Sequence, residues 1–310
     1  MSRDAFSRDP QDTRDPSPHR SMWHRTTPGG HEDDRDSRSE PAVQFERQTD
    51  GDREKPRDAD SGTERAYYVR ERTYLLRDSE IHSMKEIGKF RVIAAADLAR
   101  YAYDGDSKRM EKEIKRLKRE TLLSEQTLEV SRKKALRVIT LTRAGHRLLK
   151  RTNQLPEDQA IYHGLVKSRE AKHDADLYRL YQKEADRIER SGGRLVRVIL
   201  DYEIKRNLNR DLTLLGPEKD KLDRKAEIAE KHALEMVNGK IPVPDMRLEY
   251  ENADLALQRV DLELATREYR PKSLAEKVMA GFAIYGRAED ASRLRRILDE
   301  RELTREILTL

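Results

Sequence analysis

The segment at residues 107–120, SKRMEKEIKRLKRE, constrains the fold most, because only a helix gives it a side that can be buried. It lacks Gly and Pro, and at about 100° per residue Met110, Ile114 and Leu117 form one narrow apolar stripe. Its acids fall on the flanks, and the opposite side carries six cations: Lys108, Arg109, Lys112, Lys115, Arg116 and Arg119. Because mixed-sign pairs would serve solubility better, we favour a nucleic-acid interface over a solvated charged face.

The elements around this segment follow the order helix, strand, helix, helix, strand, strand, which is typical of a winged helix-turn-helix. The pattern predicts a helix at residues 78–88 capped by Asp78 or Ser79, a strand at 90–93, a helix at 94–103, the basic segment, and strands at 122–130 and 135–141. The hairpin tip adds three further candidate DNA contacts: Arg132, Lys133 and Lys134. The next stretch, LTRAGHRLL, resembles the exit from the wing in winged-helix regulators, with Thr142 capping a helix that packs Leu148 and Leu149.

Charge is unevenly distributed along the 310 residues. Residues 78–150 contain 18 basic and 11 acidic side chains, an excess of seven, whereas the whole chain carries +5. A local excess of this kind indicates a polyanion partner, and double-stranded DNA is the one we expect. The chain has no cysteine, no signal-like start and no apolar run that could span a bilayer, so we expect a cytoplasmic protein without a membrane partner.

The sequence divides into four regions by composition. Residues 1–65 are polar and predict a disordered tail, in which Trp23 could anchor a protein partner. We expect a winged-helix domain at 67–151, a linker at 152–160, and an α/β domain at 161–310, so that the fold class is α+β or α/β. The last domain should contain helices at 170–190, 202–215, 218–237, 273–285 and 288–308, and strands at 194–201, 244–250 and 259–265.

Acidic residues of the second domain are placed as if to share one site. Strand alternation puts Asp261 and Glu263 on the face opposite Val260, Leu262 and Leu264, where they could meet Asp245 on the neighbouring strand. Adjacent carboxylates repel each other, so a divalent cation is a natural reason to assemble them, and Mg²⁺ would suit phosphodiester hydrolysis. The opposing interpretation is an edge strand with a solvated polar face.

This arrangement resembles the PD-(D/E)xK nuclease superfamily, a restriction-endonuclease-like fold: Pro244-Asp245, a hairpin, then an acidic strand. The resemblance implies Asp245 and Glu263 as catalytic residues and metal ligands, with Glu170 as an accessory metal ligand. The lysine position of the superfamily is Ala265 here. Lys277 on the next helix could supply the ammonium, or Asp261 could replace it as the acid of a variant motif.

The two halves together resemble the replication-relaxation family of bacterial and mobile-element proteins. The resemblance rests on residues 67–287, including YLLRDSEIHSMKEIGKFRVIAAADLARYAYDGD, KALRVITLTRAGHRLLK and the stretch IPVPDMRLEYENADLALQRVDLELATREYRPKSLAEKVMAGFAIYG. It implies DNA binding in plasmid or mobile-element replication, transfer or regulation. Three alternatives stay open: a binding-only protein with a degenerate nuclease fold, a Mg²⁺-dependent nuclease targeted by the winged helix, and a protein scaffold. A homodimer is also open.

His163 and His173 are ten residues apart, so we expect no histidine metal site, and His173 is interpreted as a core or supporting residue.

Overall fold

Helices alternate with short strands throughout the described part of the chain. The computed structural model describes residues 63–69, 71–131, 134–164, 168–214, 221–304 and 306–310. These residues form a mixed α+β fold, as predicted. The predicted disordered tail, with Trp23, lies outside them. None of the described helices combines the length and apolar character needed to cross a membrane.

The first part of the chain packs helices against a small antiparallel sheet. Its elements are β1 (Glu64–Val69), β2 (Arg72–Arg77), α1 (Asp78–Lys89), β3 (Ile93–Ala94), α2 (Ala95–Ala102), α3 (Ser107–Arg119), β4 (Leu123–Ser131), β5 (Lys134–Leu141) and α4 (Arg143–Arg151). β5 lies between β3 and β4, and β1 pairs with β2 in a separate hairpin. From α1 to β5 the elements follow the predicted order, whereas the β1–β2 hairpin was not predicted.

The ends of α1 differ from the prediction. Arg77 is the N-cap in place of Asp78 or Ser79, and its backbone N–H donates to the Glu80 carboxylate at 3.0 Å. The helix also continues through Gly88, which was expected to stop it. A Cβ at Gly88 would lie 3.0 Å from the side chains of Leu141 and Ile161, so this glycine permits close packing.

The second part of the chain contains a five-stranded sheet. Its elements are α5 (Ser168–Arg190), β6 (Arg194–Leu200), α6 (Asp201–Thr213), α7 (Lys221–Lys231), β7 (Met246–Glu251), β8 (Leu257–Ala265), α8 (Pro271–Met279), β9 (Ala283–Gly286), α9 (Ala288–Asp299) and β10 (Ile307–Thr309). The strand order is β10-β9-β8-β7-β6. β6, β7 and β8 are antiparallel, and β8, β9 and β10 are parallel.

Strands β9 and β10 were not predicted, because their residues were predicted as continuations of helices. The helix predicted for 273–285 ends at Met279, and Gly281, at φ +83°, turns the chain into β9. The helix predicted for 288–308 ends at Asp299 and is followed by β10. α8 and α9 are therefore the crossovers that return the chain to the same edge of the sheet.

α7 is also shorter than the predicted helix at 218–237. It ends at Lys231, and the Arg247 guanidinium donates hydrogen bonds to the two backbone carbonyls that follow. A strand residue therefore satisfies the carbonyls that the helix leaves without partners at its end.

Helix α5 joins the two parts, because its side chains enter the core on both sides. Tyr178 and Tyr181 contact Phe90 of the first part, with ring centroids 5.2 Å apart, and Arg179 forms a bidentate pair with Asp97 of α2. One apolar core runs through both parts, and the described residues belong to a single compact unit. The predicted linker at 152–160 falls inside that unit.

The segment after α4 is held to both parts by hydrogen bonds. The Gln159 side-chain amide bonds both the N–H and the carbonyl of Val198 on the edge strand β6, at 3.0 and 2.9 Å. The backbone N–H of Tyr162 donates to the Gly88 carbonyl at 2.8 Å. Gln159 thereby occupies the backbone N–H and carbonyl of Val198, which could otherwise pair with another strand.

Candidate functional site

Helix α3 forms at the predicted position and buries the predicted residues. Asp104 and Gly105 turn the chain with positive φ angles, and the Asp106 carboxylate accepts from the Arg109 backbone N–H at 2.9 Å as the N-cap. The apolar stripe predicted from the sequence is buried: Met110, Ile114 and Leu117. Because that stripe faces the core, the opposite side of α3 faces solvent.

Four cations lie on the exposed side of α3, and we call them the α3 cation stripe: Lys108, Lys112, Lys115 and Arg119. None of the four forms an ion pair with a carboxylate of the described residues. Their spacing of four, three and four residues places them along one side of the helix over about 16 Å. The stripe is therefore a row of positive charge without a direct carboxylate partner among the described residues.

Arg109 and Arg116, the other two predicted cations, form contacts within the protein. The Arg116 guanidinium donates to the buried Glu80 carboxylate and to the Leu75 carbonyl, both at 2.7 Å, and also pairs with Glu64. Arg109 contacts Glu113 at 3.4 Å. Arg116 therefore holds α3 to the neighbouring elements, and Arg109 pairs within the helix, so four of the six predicted cations are left without such a carboxylate contact.

Glu113 was expected on a flank of the helix, yet it is buried. Its carboxylate accepts from the hydroxyls of Ser79 at 2.9 Å and Tyr103 at 3.0 Å, and Tyr103 in turn accepts from Ser83. Hydroxyl donors from α1 and from the end of α2 therefore fix the rotation of α3, and with it the direction of the cation stripe.

The hairpin beside α3 is attached to it by charge pairs. Arg137 of β5 pairs with Glu111 of α3 and with Glu125 of β4. Of the predicted hairpin-tip contacts, Arg132 and Lys133 lie outside the described residues, and only the backbone of Lys134 is described.

The second candidate site lies at the start of β7 and the end of β8. Met246 is opposite Leu262 in the antiparallel register, so the preceding Asp245 lies next to Glu263. The Asp245 backbone N–H donates to Glu263 Oε2 at 3.2 Å, and the Leu264 N–H donates to Asp245 Oδ2 at 2.9 Å. The predicted meeting of these two acids is therefore confirmed.

A cation lies beside each of the two acids. The Lys277 ammonium of α8 is 2.9 Å from Glu263 Oε2 and also donates to the Val243 carbonyl. His173 Nε2 of α5 lies 3.4 Å from Asp245 Oδ2. The convergence of Lys277 with the acids was predicted from the sequence. The direct contact of His173 was not, because nothing in the sequence brings α5 to β7.

Two further contacts complete the cluster. The Tyr269 hydroxyl donates to Glu263 Oε1. Asp261, the alternative acid, forms a bidentate pair with Arg247 directly across the strand pair, at 2.6 and 2.8 Å. Both oxygens of Asp261 therefore bind one buried guanidinium, and its catalytic role stays a prediction.

The charges of the cluster shift its pKa values. Burial raises the pKa of Glu263 to about 7, and the neighbouring charge of Asp245 adds to this shift. Burial opposes the ionisation of Asp245, but the hydrogen bond and charge of His173 hold its pKa below the ordinary value. Burial would lower the pKa of His173, yet the adjacent carboxylates of Asp174 and Asp245 raise it to about 10. At neutral pH the site therefore contains an imidazolium and an ionised Asp245.

The predicted metal set of Asp245, Glu263 and Glu170 does not fit this geometry. Across the described ranges, no group of three or more His, Cys, Asp or Glu side chains is placed to hold a metal ion. Both Glu263 oxygens and Asp245 Oδ2 already accept hydrogen bonds from the protein. In the structure Asp245 and Glu263 belong to a hydrogen-bonded cluster of acids and cations, and the metal set stays a prediction.

Comparison of this chain with models of protein families, with curated proteins and with solved structures finds no match.

Proposed function

We propose that this chain is a DNA-binding protein of the replication-relaxation type, which docks on duplex DNA through helix α3 of a winged helix. The observation that carries the proposal is the α3 cation stripe. A row of four exposed cations, none in a direct ion pair with a described acid, is the feature that a DNA backbone would recognise.

The elements around α3 support this proposal. α2, the turn at Asp104 and Gly105, and α3 follow one another as in a helix-turn-helix, and β4 and β5 form the adjoining hairpin. In that arrangement the second helix enters the major groove and the hairpin lies beside it. The setting in plasmid or mobile-element replication, transfer or regulation rests on the family resemblance alone.

The stripe supplies affinity more than sequence recognition. Lysine and arginine side chains spaced along a helix contact phosphates and release counterions, which positions the domain without reading bases. Lys108 is nearest the start of α3, where base contacts usually occur, so we expect any base recognition there.

The test is the double variant Lys112→Ala with Lys115→Ala, measured by fluorescence anisotropy on labelled duplex DNA at low salt. We expect an affinity loss of about tenfold or more, because two phosphate contacts are removed. The matched control is Arg293→Ala with Arg296→Ala, two exposed cations of α9 that pair with no carboxylate in the described ranges. Equal losses in both double variants would contradict the proposal, because the binding would then follow net charge alone.

The alternative of a metal-dependent nuclease is favoured by one observation, the convergence of Asp245, Glu263 and Lys277. The geometry opposes it, since protein donors and a lysine ammonium already satisfy the carboxylates. We therefore propose a binding protein with a nuclease-like body. Cleavage of supercoiled or linear DNA with Mg²⁺ or Mn²⁺, abolished by Asp245→Asn, would replace this proposal with the nuclease.

A further inference from the structure

The carboxylate face of the five-stranded sheet shows a regular pairing of charges. Three acids of this face each lie beside a cation: Asp245 beside His173, Glu263 beside Lys277, and Asp261 beside Arg247. The cations come from α5, α8 and β7, which are three separate elements. Like-charge repulsion among the acids, which a metal ion would relieve, is here relieved by the protein itself.

Lys277 lies where a divalent cation would find oxygen ligands. Its ammonium contacts Glu263 Oε2 at 2.9 Å and the Val243 backbone carbonyl, one a carboxylate oxygen and the other a carbonyl oxygen. These are the donor types that Mg²⁺, Mn²⁺ and Ca²⁺ prefer. Asp245 adjoins them through its backbone N–H, which donates to the same Glu263 oxygen.

The remaining oxygens of the pair leave little room for a metal ion while Lys277 stays in place. Glu263 is fully buried, and its other oxygen accepts from Tyr269. Asp245 Oδ2 accepts from the Leu264 N–H and faces His173. A divalent ion would therefore have to displace an ammonium from a fully buried carboxylate, and the two positive charges would repel each other at close range.

We propose that the Lys277 ammonium occupies the position of a divalent cation, so that Asp245 and Glu263 are closed to metal ions in the native protein. Removal of this ammonium opens a divalent-cation site formed by Glu263, Asp245 and the Val243 carbonyl. In the native chain the same cluster fastens α5 and α8 to the sheet. This inference concerns the second part of the chain only and does not depend on DNA binding through α3.

The test is a Mn²⁺ titration of the full chain by isothermal titration calorimetry, with the ion located by broadening of the Asp245 and Leu264 amide resonances. The variants are Lys277→Met, which keeps most of the side-chain length without the charge, and the double variant Lys277→Met with Glu263→Gln. The control is Lys272→Met, which removes an exposed ammonium in the first turn of the same helix.

We expect Lys277→Met to bind one Mn²⁺ per chain at least about tenfold more tightly than the native protein, because a nearby like charge has been removed. The Lys272→Met control and the double variant should behave as the native protein does. A native protein that binds Mn²⁺ with broadening of both amides would overturn the proposal. So would a folded Lys277→Met variant that gains no Mn²⁺ affinity. If Lys277→Met does not fold, the Mn²⁺ titration of the native protein tests the proposal, which then requires that the native protein does not bind Mn²⁺ at Asp245 and Leu264.

Discussion

The cations of α3 and those of the carboxylate face differ in one respect, which is whether the fold supplies their partners. On the carboxylate face every acid of the cluster is matched to a cation at 3.4 Å or less. On α3 the four stripe cations face solvent, and the structure matches none of them to an acid in the part of the chain it describes. We infer that the cations of the carboxylate face stabilise the molecule, whereas those of α3 are available to bind a partner.

Arg116 shows that the distinction depends on partners and not on position in the sequence. It belongs to the same helix as the stripe and was predicted to bind DNA with it. Its guanidinium instead pairs with the buried Glu80 and with Glu64. Neighbouring cations of α3 should therefore give opposite results when they are substituted.

The largest effect should come from Arg247→Ala. Arg247 is buried and holds Asp261 together with the carbonyls at the end of α7, so its removal leaves a carboxylate without a counter-charge. We expect the free energy of unfolding to fall by about 3–5 kcal/mol, measured by urea denaturation. Arg259→Ala, an exposed position on β8, is the control and should change stability little. A small effect at Arg247 would show that the charge pairing of this face is not structural.

A smaller effect is expected from Arg116→Ala. The substitution leaves the fully buried Glu80 without its arginine, but about a quarter of the Arg116 side chain is exposed to solvent, which weakens the pair. We expect the free energy of unfolding, measured by urea denaturation, to fall by about 1–3 kcal/mol. The DNA affinity, measured under conditions in which the native protein and the variant are both folded, should stay close to the native value. Unchanged stability together with a large loss of DNA affinity would indicate that Arg116 contacts DNA.

The smallest effect concerns pH and His173, because more than a third of the His173 side chain is exposed and solvent screens its charge. Its pKa is raised to about 10 in the folded protein, above the ordinary value of 6.5. The folded state therefore holds its proton more tightly, so this contribution to stability is full below about pH 6.5 and is lost as pH rises towards 10. Native protein should thus lose stability between pH 7 and pH 9.5 by more than His173→Gln does, in parallel denaturation series. Equal losses would show that His173 does not carry the charge that faces Asp245.

The sequence was sufficient where a local pattern decides the structure. Helical spacing predicted the burial of Met110, Ile114 and Leu117, and strand alternation put Leu262 and Glu263 on opposite faces of β8. The adjacency of β7 and β8 followed from the short turn between them, which brought Asp245 to Glu263. These predictions needed only the period of each element and one hairpin.

The sequence was insufficient where partners come from distant segments. The Arg116 partners lie on the unpredicted hairpin and on α1, and His173 reaches Asp245 from a helix 72 residues earlier in the chain. β9 and β10 were missed because short apolar runs fit a helix and a parallel strand equally well. Whether a given cation is available to a ligand therefore became visible only in the structure.

The salt dependence of DNA binding tests the central claim most directly. If the four stripe cations each neutralise a phosphate, a plot of log K against log[NaCl] should have a slope of about −3 to −4 for the native protein. The slope should become shallower by about 2 in Lys112→Ala with Lys115→Ala, because two counterions fewer are released. A slope that stays the same in this variant would contradict the account.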